Sequence, residues 1–188
     1  MSDFEFVFAL YGLLLGLSLA EVLGGLARTI EVRLRPGSAL RVGWLTPLLG
    51  AFVLLDLLSF WRAAWLVRDT ILVSGHALLG VTAFASAYYL AAHLVFPRDV
   101  EAAGDLDAHF RRIRRVVIGI LLVLFSSQML WYATIPALQS QLLRPWSLGL
   151  TTVLAILMIA AMSTRSDRWS RVVMAALVAR YVGAYLVF

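Results

Sequence analysis

Two residue types that support much covalent protein chemistry are missing from this chain of 188 residues. Cysteine is absent, which excludes disulfides, iron–sulfur clusters, thiolate metal sites and a cysteine nucleophile. Lysine is absent as well, because all sixteen basic residues are arginine. A retinal Schiff base and every other form of lysine-based covalent catalysis are therefore excluded.

Charged residues are also scarce. They make up 14% of the chain, whereas hydrophobic residues make up 62%. A soluble domain usually carries about 25% charged residues. The composition therefore excludes a disordered chain and an ordinary cytoplasmic enzyme, and it predicts an integral membrane protein.

Long apolar segments predict the architecture. A bilayer core of about 30 Å requires roughly 20 apolar residues per helix. The first such segment carries only acidic early charges, whereas a secretory signal begins with positive charge, so it is expected to remain uncleaved. The sequence predicts an all-α bundle of six transmembrane helices in a single domain (1–188), with spans at about 4–27, 44–66, 70–96, 114–137, 146–163 and 171–188.

The arginines predict the orientation of these spans. The segments 28–43, 97–115 and 164–171 hold twelve arginines, whereas the connections on the opposite side hold three. Cytoplasmic connections of membrane proteins carry an excess of Lys and Arg. The three arginine-rich segments are therefore expected in the cytoplasm, and both termini are expected outside.

One arginine-rich connection leads directly into the fourth span. Asp105 or Asp107 suits the start of a helix there, and Arg111, Arg112, Arg114 and Arg115 follow. These arginines are typical of a positive-inside collar, and they also suit a site for anionic lipid headgroups on the cytoplasmic side. Nucleic acid is not expected as a partner, because the basic residues are confined to the membrane edges.

Internal similarity and small residues give two packing predictions. Residues 11–23 align with residues 118–130, which suggests a 3+3 inverted repeat of the kind found in transporters. Small residues also recur every four positions along the first span, where they allow close helix approach within one chain or between two chains. They are Gly12, Gly16, Ala20 and Gly24.

Two charged residues are predicted near the middle of the membrane, Asp56 in the second span and Arg180 in the sixth. Because an unpaired charge at that depth is costly, we expect the two side chains to form a direct ion pair. Glu21 is the alternative partner for Arg180. The pair would either hold two helices together permanently or open during ion or proton movement.

Other polar side chains lie nearer the membrane edges. Glu21 and His93 are predicted at a similar level, and their contact would change charge near neutral pH. Glu21 could instead extend toward Arg28. Gln128 adds a polar position to the fourth span. These groups suit either a thin polar pathway or separate interhelical hydrogen bonds.

The strongest catalytic motif in the sequence is incomplete. Ser74-Gly75-His76 resembles the middle motif of the lipid phosphatase family, but that family needs a further histidine and none follows His109. His76, His93 and His109 are predicted at different levels, which disfavours a haem or zinc site. We therefore expect no enzyme activity, no cofactor and no metal.

Three segments of the chain, 4–28, 88–98 and 105–115, resemble a family of bacterial six-span integral membrane proteins that has no established activity. The resemblance implies a bacterial cytoplasmic (inner) membrane location and no site residues. The intramembrane charges and the small residues favour a small channel or transporter for an ion or small solute, working as a homo-oligomer. The alternative is a non-transporting structural or accessory membrane protein with static ion pairs.

Overall fold

The computed structural model describes residues 3–67 and 74–187, and in that part of the chain it forms helices and no strand. An isolated bridge joins Arg41 and Asp105. The prediction of an all-α fold is therefore confirmed. The helices are α1 (Asp3–Leu34), α2 (Leu45–Leu66), α3 (Gly75–Val95), α4 (Val100–Ala103), α5 (Leu106–Ala133), α6 (Pro136–Leu142), α7 (Pro145–Ser163) and α8 (Asp167–Val187).

Five of these helices, α1, α2, α3, α5 and α7, are long and apolar enough to cross a membrane. This agrees with a multi-span membrane protein. The helix α8 has 21 residues, but it carries Asp167, Arg168, Arg171 and Arg180 and is not one of the five. Six spans are therefore not confirmed.

Several helix ends differ from the predicted spans. The helix α5 begins at Leu106 rather than at 114, because the Asp105 carboxylate caps it by accepting the backbone N–H of Asp107 at 2.9 Å and of Ala108 at 3.2 Å. The helix α8 begins at Asp167 rather than at 171. The predicted start of the third span at 70 lies outside the described residues.

The long helices pack in a bundle around α2. The other long helices contact one another in the order α1, α3, α5, α7 and α8, and α2 contacts α1, α3, α5 and α8. Its inward side chains, such as Leu49, Phe52 and Leu57, are fully or almost fully buried, so α2 forms the centre of the core.

The two halves of the bundle are packed differently. In an inverted 3+3 repeat, α1 and α3 would correspond to α5 and α8. The helices α1 and α3 pack closely, whereas within the described residues α5 and α8 do not contact each other at the level of the backbone. The repeat predicted from the sequence is therefore not confirmed.

Hydrogen bonds fix the connections at one end of the bundle, which we call the inner end. The backbone N–H of Arg41 donates to the Gly104 carbonyl at 2.9 Å, and the N–H of Leu106 donates to the Arg41 carbonyl at 3.0 Å. Gly43 has a positive φ of 60° and lies against the Asp107 carboxylate, where a side chain would not fit. The first two arginine-rich connections therefore meet at this end. The Arg111–Asp167 pair, at 3.0 Å, brings the third connection to the same end, and the opposite end is the outer end.

Candidate functional site

The most buried carboxylate among the described residues is that of Asp56, which is 2% exposed. The hydroxyl of Tyr88 lies 3.2 Å from Asp56 Oδ2 and 2.7 Å from the Val53 carbonyl oxygen, and these two acceptors share its single hydrogen. The hydroxyl of Tyr181 donates to Asp56 Oδ1. Two tyrosines from α3 and α8 thus hold a carboxylate on α2.

The predicted direct contact between Asp56 and Arg180 is wrong. Within the described residues no ion pair joins them, and Tyr181 lies between them. The Arg180 guanidinium carbon is 4.8 Å from the centre of the Tyr181 ring, and Arg180 Nη2 donates to the Leu150 carbonyl at 3.2 Å. Glu21, the alternative partner, contacts other groups.

The reason for this error is the rotation of α8 about its axis. The next residue, Tyr181, reaches Asp56, so Arg180 lies at nearly the same depth but is turned by about 100° from the direction of Asp56. The partner of Arg180, Leu150, is in the second turn of α7 from the outer end. The sequence did carry a signal for the real partners, because a tyrosine buried in an apolar helix usually finds a polar partner for its hydroxyl.

A half-open cavity of about 490 Å³ lies at the outer end, between α1, α2, α3 and α5. Its walls are mainly aromatic and aliphatic, with a few polar groups, as is usual for small-molecule sites. The polar lining residues are Tyr11, His76, Ser127, Gln128 and Tyr132, and the large apolar ones include Phe8, Phe60, Phe84 and Trp131.

Gln128 forms part of the cavity wall. Its Nε2 donates to the Tyr132 hydroxyl at 2.9 Å, and that hydroxyl donates to the Ala63 carbonyl at 3.1 Å. The neighbouring hydroxyls of Ser126 and Ser127 donate to carbonyls of their own helix. Gln128 is therefore linked to α2 through Tyr132, and within the described residues it makes no hydrogen bond to the Asp56 group.

The cavity and Asp56 are connected through aromatic rings. Phe60 is in edge-to-face contact with Phe84, at 5.0 Å between ring centres, and with Tyr88, at 5.6 Å. Phe60 and Phe84 line the cavity, whereas Tyr88 hydrogen-bonds to Asp56. The carboxylate therefore lies one aromatic layer beneath the cavity.

An apolar layer, which we call the inner seal, lies on the other side of Asp56. Gly50 is so close to Phe96 and Val22 that an added Cβ would lie 3.2 Å and 3.6 Å from their side chains. This close packing leaves little space between α1, α2 and the end of α3. The inner seal consists of the buried residues Val22, Leu49, Phe52, Val53 and Ala92.

Glu21 and His93 lie toward the inner end, beside the seal. Glu21 Oε1 is 3.0 Å from His93 Nδ1 and 3.8 Å from Arg28 Nη2, so both contacts considered from the sequence are formed. The His93 ring also stacks on Tyr89, with 6.1 Å between the ring centres. This polar group is partly exposed, whereas Asp56 is not.

The four arginines at the start of α5 have different environments. Arg111 pairs with Asp167 at 3.0 Å, Arg112 is exposed, and Arg115 Nε donates to the Met162 carbonyl at 3.3 Å. Arg114 is only 7% exposed and donates to Ser170 Oγ at 3.0 Å. Its assignment to an exposed headgroup collar is therefore wrong, because it lies on the face of α5 that packs into the bundle.

The Ser-Gly-His motif has a structural role in the described chain. Ser74 caps α3 by accepting the backbone N–H of Ala77 at 3.1 Å, and His76 follows at the edge of the cavity. In residues 3–67 and 74–187, no three His, Asp or Glu side chains are grouped so that they could hold a metal ion.

These features describe an α-helical bundle in which five helices are long and apolar enough to cross a membrane, with an outer cavity above a buried carboxylate. Comparison with protein-family models, with curated proteins and with solved structures finds no match to this chain. The resemblance to a bacterial six-span family therefore stays a prediction, and the function has to be argued from the residues themselves.

Proposed function

We propose that this chain is a small membrane transporter that binds a small, mainly apolar solute in the outer cavity. The observation that carries the proposal is the arrangement along the bundle axis. The cavity ends one aromatic layer above Asp56, and the inner seal fills the space beyond it. A site open at one end and closed at the other is typical of a carrier, whereas a channel needs a continuous path.

The groups around Asp56 suit a change of state. Its ligands are two neutral hydroxyls rather than a fixed arginine. A hydroxyl donor can rotate or exchange partners without leaving an unpaired charge behind. We infer that Asp56 couples solute binding to uptake of a proton or cation, with Tyr88 relaying changes in the cavity wall.

The proposal includes six spans, with both termini outside the bacterial cytoplasmic membrane. Support for a sixth span comes from the contact between Arg180 and Leu150. It places the outer part of α8 beside the outer part of α7, which is itself long and apolar enough to cross. The orientation is supported by the arginines gathered at the inner end.

A homo-oligomer is the remaining part of the proposal. Gly16 and Ala20 on α1 are exposed, and an added Cβ at Gly16 would meet no atom within 4 Å. This part of the small-residue strip is not used for packing within the described chain. Small residues on a lipid-facing helix allow another helix to approach closely.

Flux into proteoliposomes tests the transport proposal. Purified protein would be assayed for proton flux with an internal pH-sensitive dye, and for uptake of a panel of radiolabelled small organic solutes. Gly80 lines the cavity with free space beside it, so Gly80→Leu should fill the cavity and reduce flux to the level of protein-free vesicles. Gly149→Leu is the matched control, because Gly149 has free space but lies on α7, away from the cavity.

A second pair of variants tests the role of Asp56. Asp56→Asn should abolish coupled flux, whereas Glu101→Gln, which changes an exposed carboxylate paired with Arg35, should leave flux unchanged. Absence of flux for every probe with the unmodified protein would contradict the proposal. That result would favour an accessory membrane protein with static polar contacts. One observation supports this alternative: both Asp56 oxygens already accept hydrogen bonds from tyrosine hydroxyls.

A further inference from the structure

Positive charge is concentrated on one part of the inner end. Residues 111–115 and 165–171 hold seven arginines and a single carboxylate, Asp167. In the rest of the inner end, positive and negative charges are nearly equal in number. It has five arginines and six carboxylates: Arg28, Arg33, Arg35, Arg41 and Arg98, and Glu21, Glu31, Asp99, Glu101, Asp105 and Asp107. The positive-inside rule requires arginines on this side, but it does not require them to gather beside α5, α7 and α8.

The nearest carboxylates leave most of these arginines unpaired. Asp105 caps α5, and Asp107 accepts the backbone N–H of Leu45 at 2.9 Å. Asp167 pairs with Arg111. Among the ion pairs of the described residues, none involves Arg112, Arg115 or Arg165. The patch therefore retains uncompensated positive charge.

Two arginines of the patch are held in place by the bundle. Arg114 is only 7% exposed. It donates to Ser170 Oγ, and its buried Nε has no hydrogen-bond partner in the described chain. Arg115 is held by the Met162 carbonyl at the end of α7. Fixed donors lose little conformational entropy when an anion binds.

Apolar side chains lie beside this charge. Val116 and Val172, which directly follow arginines of the patch, are 52% and 53% exposed. Ile159, near the adjoining end of α7, is 52% exposed. Trp169, in the first turn of α8, is 64% exposed, and tryptophan is enriched at membrane–water interfaces. A ligand that carries both a phosphate and acyl chains fits this combination better than a free anion does.

We propose that the inner ends of α5, α7 and α8 bind the phosphate group of an anionic phospholipid. Arg112, Arg115 and Arg165 contact the phosphate oxygens, since guanidinium groups match phosphate geometry with paired N–H donors. The Arg114–Ser170 pair forms the base of the site and keeps α5 and α8 together. The site differs from the arginine collar expected from the sequence. Arg114 packs beneath the site instead of contacting the phosphate, and Arg165 is an additional phosphate contact.

Lipid binding by the full chain in detergent tests this proposal. The delipidated protein would be titrated with phosphatidylglycerol and with phosphatidylcholine of the same acyl chains, and bound lipid would be counted by native mass spectrometry. We expect preference for phosphatidylglycerol. Arg112→Gln/Arg115→Gln/Arg165→Gln should weaken its binding at least about tenfold. The matched control, Arg33→Gln/Arg41→Gln/Arg98→Gln, removes the same charge from the same end and should bind as the unmodified protein does.

Two further measurements decide the source of the phosphate. Inorganic phosphate, at concentrations that saturate a free-anion site, should not displace phosphatidylglycerol, and both variants should melt at the temperature of the unmodified protein. Displacement by inorganic phosphate, or equal retention of the two lipids, would overturn the lipid assignment. Equal weakening in both variants would overturn the site, because it would show a response to overall charge alone.

Discussion

At the residue scale, the central feature is a buried carboxylate bound by phenol hydroxyls. Asp56 offers two oxygens, and Tyr88 and Tyr181 each supply a donor from a different helix. A buried acceptor left without its donor costs more free energy than a hydrogen bond normally contributes. The two hydroxyls should therefore stabilise the contact of α2 with α3 and α8.

Removal of one hydroxyl gives a prediction for stability. Tyr181→Phe keeps the ring but leaves Asp56 Oδ1 without this donor, so we expect a loss of about 1–3 kcal/mol, seen as a lower melting temperature in detergent. Tyr185→Phe is the control on the same helix, because the Tyr185 hydroxyl is 3.5 Å from the Leu55 carbonyl and exposed. It should change stability by less than about 0.5 kcal/mol.

The absence of an Asp56–Arg180 ion pair gives a second prediction at this scale. Asp56→Ala and Arg180→Leu remove groups that share no direct bond, although both contact Tyr181. Because Tyr181 is a shared partner, we expect their effects on stability to be coupled by about 0.5–1 kcal/mol, but the double variant should still be less stable than Asp56→Ala alone. The measurement is the melting temperature of the two single variants and the double variant in detergent. A double variant that is more stable than Asp56→Ala alone would indicate the ion pair.

At the element scale, the approach of α1 to α3 depends on one glycine. An added Cβ at Gly25 would lie 2.6 Å from the Phe96 side chain, whereas an added Cβ at Gly16 would meet nothing within 4 Å. The small-residue strip predicted from the sequence includes Gly16 but not Gly25. The close approach of α1 to the end of α3 therefore occurs beside that strip, whereas Gly12 of the strip lies close to Trp61 of α2, whose ring is 3.1 Å from an added Cβ.

Alanine at these two glycines should have opposite effects. Gly25→Ala should destabilise the protein by about 1–3 kcal/mol through overpacking against Phe96. Gly16→Ala should be neutral or stabilising by up to about 1 kcal/mol, since alanine favours the helix. Thermal unfolding of both variants in the same detergent would measure the difference, and equal melting temperatures would contradict the packing of α1 against α3.

At the scale of the whole molecule, the number of crossings decides the side of the carboxyl terminus. Five helices meet the length and composition of a span, and α8 packs beside α7 and α2. If α8 crosses, both ends of the chain lie on the same side, opposite the arginine-rich connections. If it does not, the carboxyl end of α8 stays on the side of the arginine-rich connections.

Reporter fusions after residue 188 distinguish these topologies in bacterial cells. We expect activity from alkaline phosphatase, which folds only outside the cytoplasm, and none from a cytoplasm-dependent reporter at the same position. Fusions after residue 104, between α3 and α5, should give the opposite result and serve as the control. A cytoplasmic carboxyl terminus would show that α8 does not cross the membrane. It would also contradict the assumption that α7 and α8 extend to the same depth.

The sequence by itself determined the class of the fold. Apolar runs of about 20 residues leave the backbone no favourable state in lipid other than a helix, so the all-α architecture followed from composition and length. The Glu21–His93 contact was also predictable, because both residues lie toward the carboxyl ends of helices that run in the same direction. Local signals, such as the Asp105 cap, likewise depend on neighbours in the chain.

Only the tertiary structure decided which side chains meet across helices. A span fixes the depth of a residue but leaves its rotation about the helix axis and its neighbours undetermined. That is why Asp56 pairs with tyrosines rather than with Arg180, and why Arg114 faces Ser170 rather than lipid. The cavity is likewise lined by side chains from four helices, and the inner seal by side chains from three. Their packing depends on the shapes of side chains that are far apart in the chain.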